Sequence, residues 1–194
     1  MAGRAVFLDR DGTVNVEADF LGDPALLVLE RGALSGLRRL QEAGFILAIV
    51  SNQSGVARGL FSEADLRRVN AKLGRMLAAE GITIARFYYC PHHPEGSVKR
   101  YTRTCCCRKP APGMLRAAAC DLGIDLSTSY TVGDRARDLE AGRAAGTRCV
   151  LVQTGYGRDE VAVTLREQLA DFVAEDLRAA ASWITRDAAE GACK

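Results

Sequence analysis

The chain has 194 residues, 48% of them hydrophobic and 26% charged, and a formal net charge of only +2. This length fits one domain with a sizeable core, and the composition is that of an ordinary globular protein rather than a disordered one. The small charge does not indicate a nucleic-acid or membrane-surface partner, and no apolar run approaches the length of a membrane span. Because the first residues lead straight into a predicted strand, we also expect no signal peptide.

Strands alternate with helices along the chain. Short apolar runs predict six strands, at 4–8, 45–50, 86–89, 130–132, 148–152 and 171–173. Apolar residues at helical spacing, with start and stop signals at Ser62, Pro112 and Gly44, predict five helices. These helices are expected at 31–44, 62–80, 112–122, 135–145 and from about 175 onward. The alternation predicts an α/β fold, a Rossmann-like parallel sheet with helices on both faces.

The first predicted strand ends in two carboxylates, Asp9 and Asp11, which are followed by Gly12. Residues two apart in an extended segment lie on the same side, and a glycine lets the chain turn away without a side-chain clash. Such a pair suits phosphoryl transfer, in which one carboxylate attacks and the second handles the proton of the leaving group. An isolated pair of this kind is more simply an acidic turn, so its interpretation depends on the rest of the chain.

Three more stretches of polar residues lie next to predicted strands or helices. The Ser-Asn-Gln-Ser-Gly stretch at 51–55 offers hydroxyl and amide donors for phosphate oxygens, Arg108 and Lys109 offer cations, and 133–138 offers further carboxylates. Each stretch alone has an ordinary explanation as a helix cap, a turn or a solvated charge pair. In parallel sheets, however, ligands bind beyond the carboxyl ends of the strands, and these stretches all fall there. Their shared position therefore indicates one site.

Seven cysteines are unusual for a chain without a secretion signal, and four of them lie close together at 90–107. An odd count with one tight cluster favours a metal site over disulfides. The spacings Cys-x-His and Cys-x-Cys each direct two ligands the same way in an extended segment, which predicts a tetrahedral Zn²⁺ site. The predicted zinc ligands are Cys90, His92, Cys105 and Cys107.

This zinc is expected to be structural, because four protein ligands leave no open position for water. Its predicted role is to hold the zinc loop, residues 90–107, which ends at Arg108 and Lys109. Two further residues of the loop, His93 and Cys106, are spare members, and an exchange of either into the metal site stays open at this point.

The motifs D-x-D-G-T, S-N, a lysine and G-D-x-x-x-D occur in this order, and with them the chain resembles the haloacid dehalogenase superfamily of phosphohydrolases over about residues 4–155. The resemblance implies that Asp9 is the nucleophile and forms an aspartyl-phosphate. It implies that Asp11 is the general acid that later activates water. It also implies that Ser51 and Lys109 stabilise the transferring phosphoryl group.

A Mg²⁺ cofactor follows from the same resemblance, with Asp9, Asp134 and the backbone carbonyl of Asp11 as its protein ligands. Mg²⁺ prefers oxygen ligands and keeps waters and phosphate in its shell, which fits this set. Two roles are open for Asp138: ligation through water, or orientation of Lys109 and Asp134, which we favour.

Within the superfamily, the stretches C-P-H-H-P, C-x-C-R-K-P and S-N-Q-S-G-V-A-R-G closely resemble those of the D-glycero-D-manno-heptose 1,7-bisphosphate phosphatases. The resemblance implies hydrolysis of the C7 phosphate in the cytoplasm, giving heptose 1-phosphate for nucleotide-activated heptose and lipopolysaccharide core synthesis. The implied partner is a small sugar bisphosphate, with no nucleic acid or membrane, and we expect a monomer. The residues expected to bind substrate are Glu17, Ala18, Asp19, Phe20, Ser51, Asn52, Gln53, Ser54, Arg108, Lys109 and Arg135.

The chain departs from that family at three positions without losing a catalytic group: the family commonly has Thr at Ser51, Lys at Arg135 and a non-cysteine at Cys106. A histidinol-phosphate phosphatase is the nearest alternative, although its zinc loop is shorter and it usually has Asp at Ser54. A non-catalytic zinc-organised binding protein is disfavoured because the catalytic set is intact. A nucleic-acid end phosphatase is disfavoured because no basic, aromatic-laced face is evident.

We expect a single phosphatase domain over residues 1–194 without a large cap domain. The stretches from Asp11 to Ser51 and from Ser51 to Lys109 are already needed for helices, strands and the zinc loop. The site is therefore expected to be open, with selectivity left to 17–20, 53–58 and the zinc loop. The α or β anomer preference stays open.

Overall fold

The computed structural model describes residues 2–191, and its strands and helices alternate as predicted. The strands are Ala5–Leu8 (β1), Ile46–Asn52 (β2), Arg86–Cys90 (β3), Tyr130–Gly133 (β4), Arg148–Val152 (β5) and Phe172–Ala174 (β6). The helices are Ala33–Glu42 (α1), Glu63–Ala79 (α2), Gly113–Leu122 (α3), Ala136–Ala145 (α4), Gly157–Arg166 (α5) and Leu177–Gly191 (α6). Single turns of 3-10 helix lie at Pro24–Leu26, Lys99–Tyr101 and Leu126–Thr128.

The six strands form one sheet in the order β3-β2-β1-β4-β5-β6, and every neighbouring pair is parallel. The predicted fold class is thereby confirmed. Strand β1 lies inside the sheet, with Leu8 in register with Ile49 of β2 and with Val132 of β4. The residues that follow these three strands therefore meet at the middle of one sheet edge.

Helices cover both faces of the sheet, which explains why the strands are continuous apolar runs instead of alternating ones. In β1, Val6 and Leu8 belong to the core beneath α1, α2 and α6, whereas Ala5 and Phe7 belong to the core beneath α3 and α4. All four side chains are fully buried. The rigid strand β1 thus carries Asp9 at a fixed position.

The predicted start of α2 is confirmed in detail. The Ser62 hydroxyl accepts a hydrogen bond from the Asp65 backbone N–H, and the Asp65 carboxylate accepts one from the Ser62 backbone N–H. In contrast, the sequence interpretation missed α5. That helix contains Val161, Val163 and Thr164, whose branched side chains lower helix propensity, and it buries only Gly157 and Thr164. Its periodic signal is weak, so its packing against the sheet decides its conformation.

The structure bears on two expectations, the absence of a large cap domain and the absence of a membrane span. Over residues 2–191 no large cap domain is present, as predicted, because the chain between β1 and β2 forms only one short 3-10 turn and α1. None of the helices in the described part of the chain is long and apolar enough to cross a membrane. Cys193, one of the scattered cysteines, lies outside the described residues.

Candidate active site

A polar cleft of about 300 Å³ lies at the carboxyl edge of the sheet. Its lining residues are Asp9, Asp11, Glu17, Asp19, Phe20, Ser51, Asn52, Gln53, Ser54, Gly55, Arg58, His93, Arg108, Asp134, Arg135, Arg137 and Tyr156. The structure thus brings together nearly all the residues that the sequence predicted for the site. Ala18 is an exception, since it is exposed and does not line the cleft. Lys109 is also absent from the lining, because it lies buried beneath the cleft.

Lys109 is the central cation of this cleft. Its Nζ lies 2.9 Å from Asp9 Oδ1 and 2.6 Å from Asp138 Oδ1, and it also donates a hydrogen bond to the backbone oxygen of Val50. Burial acts to lower the pKa of Lys109, but Asp138 and Asp9 outweigh it, so the pKa is raised and the lysine stays charged. Asp138 therefore contacts the lysine directly, as the orienting role favoured from the sequence requires.

Three buried carboxylates, from Asp9, Asp134 and Asp138, have oxygens within 4.8 Å of one another. Burial and the neighbouring carboxylates raise the pKa of Asp9 to about 6, although Lys109 opposes this, and raise the pKa of Asp134 to about 8. A site that holds several carboxylates close together out of water favours a bound cation or protons. The oxygen-only donor set fits Mg²⁺.

Two glycines allow this cluster to form. Gly12 has a φ of +76°, and a Cβ there would collide with the Asp134 carboxylate. Gly155 approaches the same carboxylate closely from the segment after β5, and the neighbouring Tyr156 backbone N–H donates a 2.9 Å hydrogen bond to Asp134 Oδ2. The glycine after the Asp-x-Asp pair thus serves close packing as well as the turn.

The Asp11 carboxylate lies apart from that cluster, in a network of donors. The Arg10 guanidinium contacts both its oxygens at 2.9 Å, and the side-chain amides of Asn15 and Gln53 donate to it at 2.9 and 2.8 Å. Arg10 is almost fully buried, so a carboxylate partner is required beside it. The ion pair and the two amide donors together fix the orientation of the Asp11 carboxylate.

The stretch after β2 supports the site from the other side. The Gln53 amide also donates a 2.8 Å hydrogen bond to the Ser51 hydroxyl, and both residues are buried. The Asn52 side chain donates to the backbone oxygen of Lys109 and accepts from its backbone N–H, each at 3.0 Å. Asn52 was predicted to bind substrate; it lines the cleft, and its side-chain amide also holds the backbone of Lys109.

The 17–20 segment forms one wall of the cleft. The Glu17 carboxylate accepts from the backbone N–H groups of Ala18 and Asp19, and its pKa is raised by burial and then by Asp11. The Asp19 carboxylate accepts a 3.0 Å hydrogen bond from the Tyr156 hydroxyl. Phe20 is 47% exposed, which leaves its ring available at the cleft mouth.

The four predicted zinc ligands, Cys90, His92, Cys105 and Cys107, form a Cys/His cluster with their ligand atoms close together. The sulfurs of Cys90, Cys105 and Cys107 lie 3.1–3.4 Å apart, and His92 Nδ1 lies 3.6 Å from the Cys107 sulfur and 3.7 Å from the Cys90 sulfur. All three cysteines are free thiols. Burial, and then the Cys107 thiol, raises the pKa of Cys90. Three sulfurs and an imidazole nitrogen facing one point form a donor set that fits Zn²⁺.

The two spare members lie outside this Cys/His cluster. Cys106 is exposed, whereas His93 lines the cleft, where its Nε2 accepts a 3.2 Å hydrogen bond from Arg58. The four residues predicted from their spacing are therefore the ones that the structure brings together.

Sequence reasoning missed three residues of the site, namely Arg10, Arg137 and Tyr156. Tyr156 stacks on Arg135, whose guanidinium carbon is 3.4 Å from the ring centroid. Arg10 carried the only usable signal, because it stands between the two carboxylates of the Asp-x-Asp pair. The other two face the cleft only because of how the segments around β4 and β5 fold.

The chain is similar in sequence to known hydrolases. A family model described as HAD-hydrolase-like matches residues 106–180. The chain is 46% identical to the D-glycero-beta-D-manno-heptose-1,7-bisphosphate 7-phosphatase of Yersinia pestis, over 78% of this chain and 81% of that relative. It is 44% identical to the enzyme of the same name from Escherichia coli K12, over 78% of this chain and 80% of that one.

Solved structures give the same result at the level of the fold. The chain superposes with a TM-score of 0.83 and 38% identity on the D,D-heptose 1,7-bisphosphate phosphatase from B. bronchiseptica, a crystal structure with magnesium and phosphate. That match covers 95% of this chain and 99% of the other. The corresponding enzyme from Burkholderia thailandensis matches with a TM-score of 0.66 and 33% identity, over 92% and 96% of the two chains.

Proposed function

This chain belongs to the D-glycero-D-manno-heptose 1,7-bisphosphate 7-phosphatase family of HAD-like hydrolases, and from that membership we propose that it removes the C7 phosphate of D-glycero-D-manno-heptose 1,7-bisphosphate. The observation that carries the proposal is the Asp9–Lys109 contact at the floor of an open cleft. A nucleophilic carboxylate beside a fixed cation, with free arginines above it, suits a substrate with two phosphates.

The proposed reaction proceeds in two steps. An Asp9 carboxylate oxygen attacks phosphorus, the bond from phosphorus to the C7 oxygen breaks, and the leaving oxygen takes a proton from Asp11. Water then attacks the aspartyl-phosphate and gives its proton to Asp11, releasing inorganic phosphate and restoring Asp9. Lys109 and the Ser51 hydroxyl offset the negative charge on the transferring group, which is the main task of a protein in this chemistry.

We propose Mg²⁺ as the cofactor, held by Asp9, Asp134 and the backbone carbonyl of Asp11. When bound, it neutralises charge on the phosphoryl oxygens and helps to orient them. Asp138, although close to this set, is engaged with Lys109 and with the Arg135 backbone N–H, so we assign it to positioning. Magnesium in the B. bronchiseptica relative supports the choice of ion.

A structural Zn²⁺ is proposed for Cys90, His92, Cys105 and Cys107. Cys107 immediately precedes Arg108 and Lys109, so a metal at this point fixes the end of the zinc loop against the cleft. The free thiols suit a reducing compartment, and we place the enzyme in the cytoplasm. We propose that it is a monomer. Its proposed role is to supply heptose 1-phosphate for lipopolysaccharide core synthesis.

Magnesium should stabilise the protein more at high pH than at low pH. The pKa values of Asp9 and Asp134 lie above those of an unfolded chain, so the folded metal-free protein retains protons that the unfolded chain releases from about pH 4. Its free energy of unfolding should therefore fall as pH rises from about 4, and level off above about 6 for Asp9 and above about 8 for Asp134. Thermal melts in chelator-free buffer, with and without Mg²⁺, test this.

We expect the rise in melting temperature on adding Mg²⁺ to be clearly larger at pH 8 than at pH 6. Asp134→Asn removes the carboxyl with the most strongly raised pKa, so it should flatten the pH dependence and reduce the response to Mg²⁺. The proposed magnesium site is contradicted if Mg²⁺ shifts the wild-type and variant melting temperatures equally at both pH values.

A substrate panel tests the proposed function itself. It contains both anomers of heptose 1,7-bisphosphate, the matching heptose 7-phosphate, and histidinol phosphate as the substrate of the alternative enzyme. We expect one bisphosphate anomer to have the highest kcat/KM, because the cleft offers cations for a second phosphate. Faster turnover of histidinol phosphate than of either anomer would replace this assignment with the histidinol-phosphate phosphatase.

A further inference from the structure

Four arginines line the cleft, and they differ in how their charges are compensated. The Arg135 guanidinium stacks on Tyr156, and its Nη1 lies 3.9 Å from Glu160 Oε1. Across residues 2–191, Arg58, Arg108 and Arg137 form no ion pair with any carboxylate. These three side chains therefore bring uncompensated positive charge to the cleft.

Two of these arginines, Arg108 and Arg58, form hydrogen bonds to residues of the zinc loop. Arg108 is half-buried, and its Nη1 donates a 3.2 Å hydrogen bond to the backbone oxygen of His92. Arg58 donates a hydrogen bond to the side chain of His93, the residue that follows His92. Arg58, Arg108 and Arg137 all line the same cleft of about 300 Å³. Burial lowers the pKa of Arg108, and repulsion from Arg137 and Arg58 lowers it further.

Arg137 lines the cleft without a hydrogen bond or an ion pair from its side chain to any group of residues 2–191. It lies in the first turn of α4, one residue before the Asp138 that holds Lys109, and it lines the cleft. Its Nε is buried and has no hydrogen-bond partner in that part of the chain. A buried donor without an acceptor is unfavourable, and an anionic ligand in the cleft would remove the cost.

We propose that Arg137 is a specificity-determining residue that binds, together with Arg108, the substrate phosphate that is not hydrolysed. The inference rests on the proposed bisphosphate substrate. The reacting phosphate is already served by Lys109 and Ser51, so further guanidinium groups are not needed for a monophosphate. Two guanidinium forks that line one cleft can each offer paired donors to the oxygens of a second phosphate, which a lysine would contact only as a point charge.

The test compares Arg137→Gln with wild type on heptose 1,7-bisphosphate and on heptose 7-phosphate, the same sugar without the second phosphate. We expect Arg137→Gln to lower kcat/KM for the bisphosphate about tenfold more than for the 7-phosphate, mainly through KM, since it removes a charge-assisted contact. Arg137→Lys should recover part of the preference. Arg75→Gln removes one exposed positive charge away from the cleft and is the matched control.

Three results separate the possibilities. A selective loss in Arg137→Gln, absent in Arg75→Gln and partly recovered in Arg137→Lys, supports the assignment. If wild type prefers the bisphosphate and Arg137→Gln keeps the same preference, the role of Arg137 is overturned while the proposed function stands. If wild type does not prefer the bisphosphate, the proposed function fails, and this inference fails with it. Arg108→Ala, measured in parallel, should show the same selective loss, and equal losses on both substrates would limit Arg108 to general phosphate binding.

Discussion

Replacing Asp9 with Asn should reduce kcat by at least about 1,000-fold, because removing a group that attacks covalently costs several orders of magnitude in rate. Asn has nearly the same shape as Asp but lacks the charged oxygen that attacks phosphorus. It also leaves Lys109 with one carboxylate partner, Asp138, which should keep the lysine in place. Steady-state phosphate release from heptose 1,7-bisphosphate under saturating Mg²⁺ measures the effect.

The control for this variant is Asp159→Asn, since Asp159 is exposed in the first turn of α5 and does not line the cleft. We expect its activity to stay within about twofold of wild type, as is usual for surface substitutions. Deamidation of the new Asn would restore Asp9, so mass spectrometry must accompany the assay. Activity of Asp9→Asn within about tenfold of wild type, with deamidation excluded, would refute the aspartyl-phosphate mechanism.

Cys107→Ser should abolish zinc binding, lowering the metal content from one Zn²⁺ per chain to nearly none. The Cys107 sulfur lies 3.2 Å from the Cys90 sulfur and 3.1 Å from the Cys105 sulfur, so its loss removes a member of a closed tetrahedral set. Cys90, Cys105 and Cys107 pack in the core beneath α3 and α4, but the larger core beneath α1, α2 and α6 contains none of the four ligands. We therefore expect the domain to fold without the metal. Elemental analysis of purified protein gives the stoichiometry.

The functional consequence of zinc loss should be local. Arg108 and Lys109 follow directly on Cys107, so a loosened zinc loop should raise amide hydrogen exchange at 91–108 and lower kcat/KM. Cys106→Ser is the matched control, because Cys106 neighbours two of the ligands but is exposed and outside the cluster. Zinc retained in Cys107→Ser and lost in Cys106→Ser would reassign the ligands.

Short-range patterns in the sequence determined a large part of this protein. Apolar runs and helical spacing predicted all six strands and five of the six helices, and the capping pair at Ser62 and Asp65 predicted where α2 begins. The pairs Asp9 and Asp11, Cys90 and His92, and Cys105 and Cys107 were equally readable. In an extended segment, covalent geometry alone decides which side a residue two positions away faces.

The tertiary structure alone decided which of these segments meet. The order of the sheet places β4 beside β1, and this pairing brings Asp134 next to Asp9. The two carboxylate partners of Lys109 likewise come from distant segments: Asp9 directly follows β1, and Asp138 lies in α4. Periodicity indicates that a strand is buried but not which strand lies next to it, because every buried parallel strand has a similar apolar pattern.

The same limit explains the residues that were missed. Helix α5 has little periodicity of its own, and Tyr156 and Arg137 reach the cleft only through the turns after β5 and β4. The sequence also did not reveal that the Asn52 amide pairs with the Lys109 backbone. The sequence by itself thus determined which chemical groups stand at the strand ends. Contacts between distant segments, which depend on the packing of the whole sheet, decided which of those groups face the substrate and which hold one another.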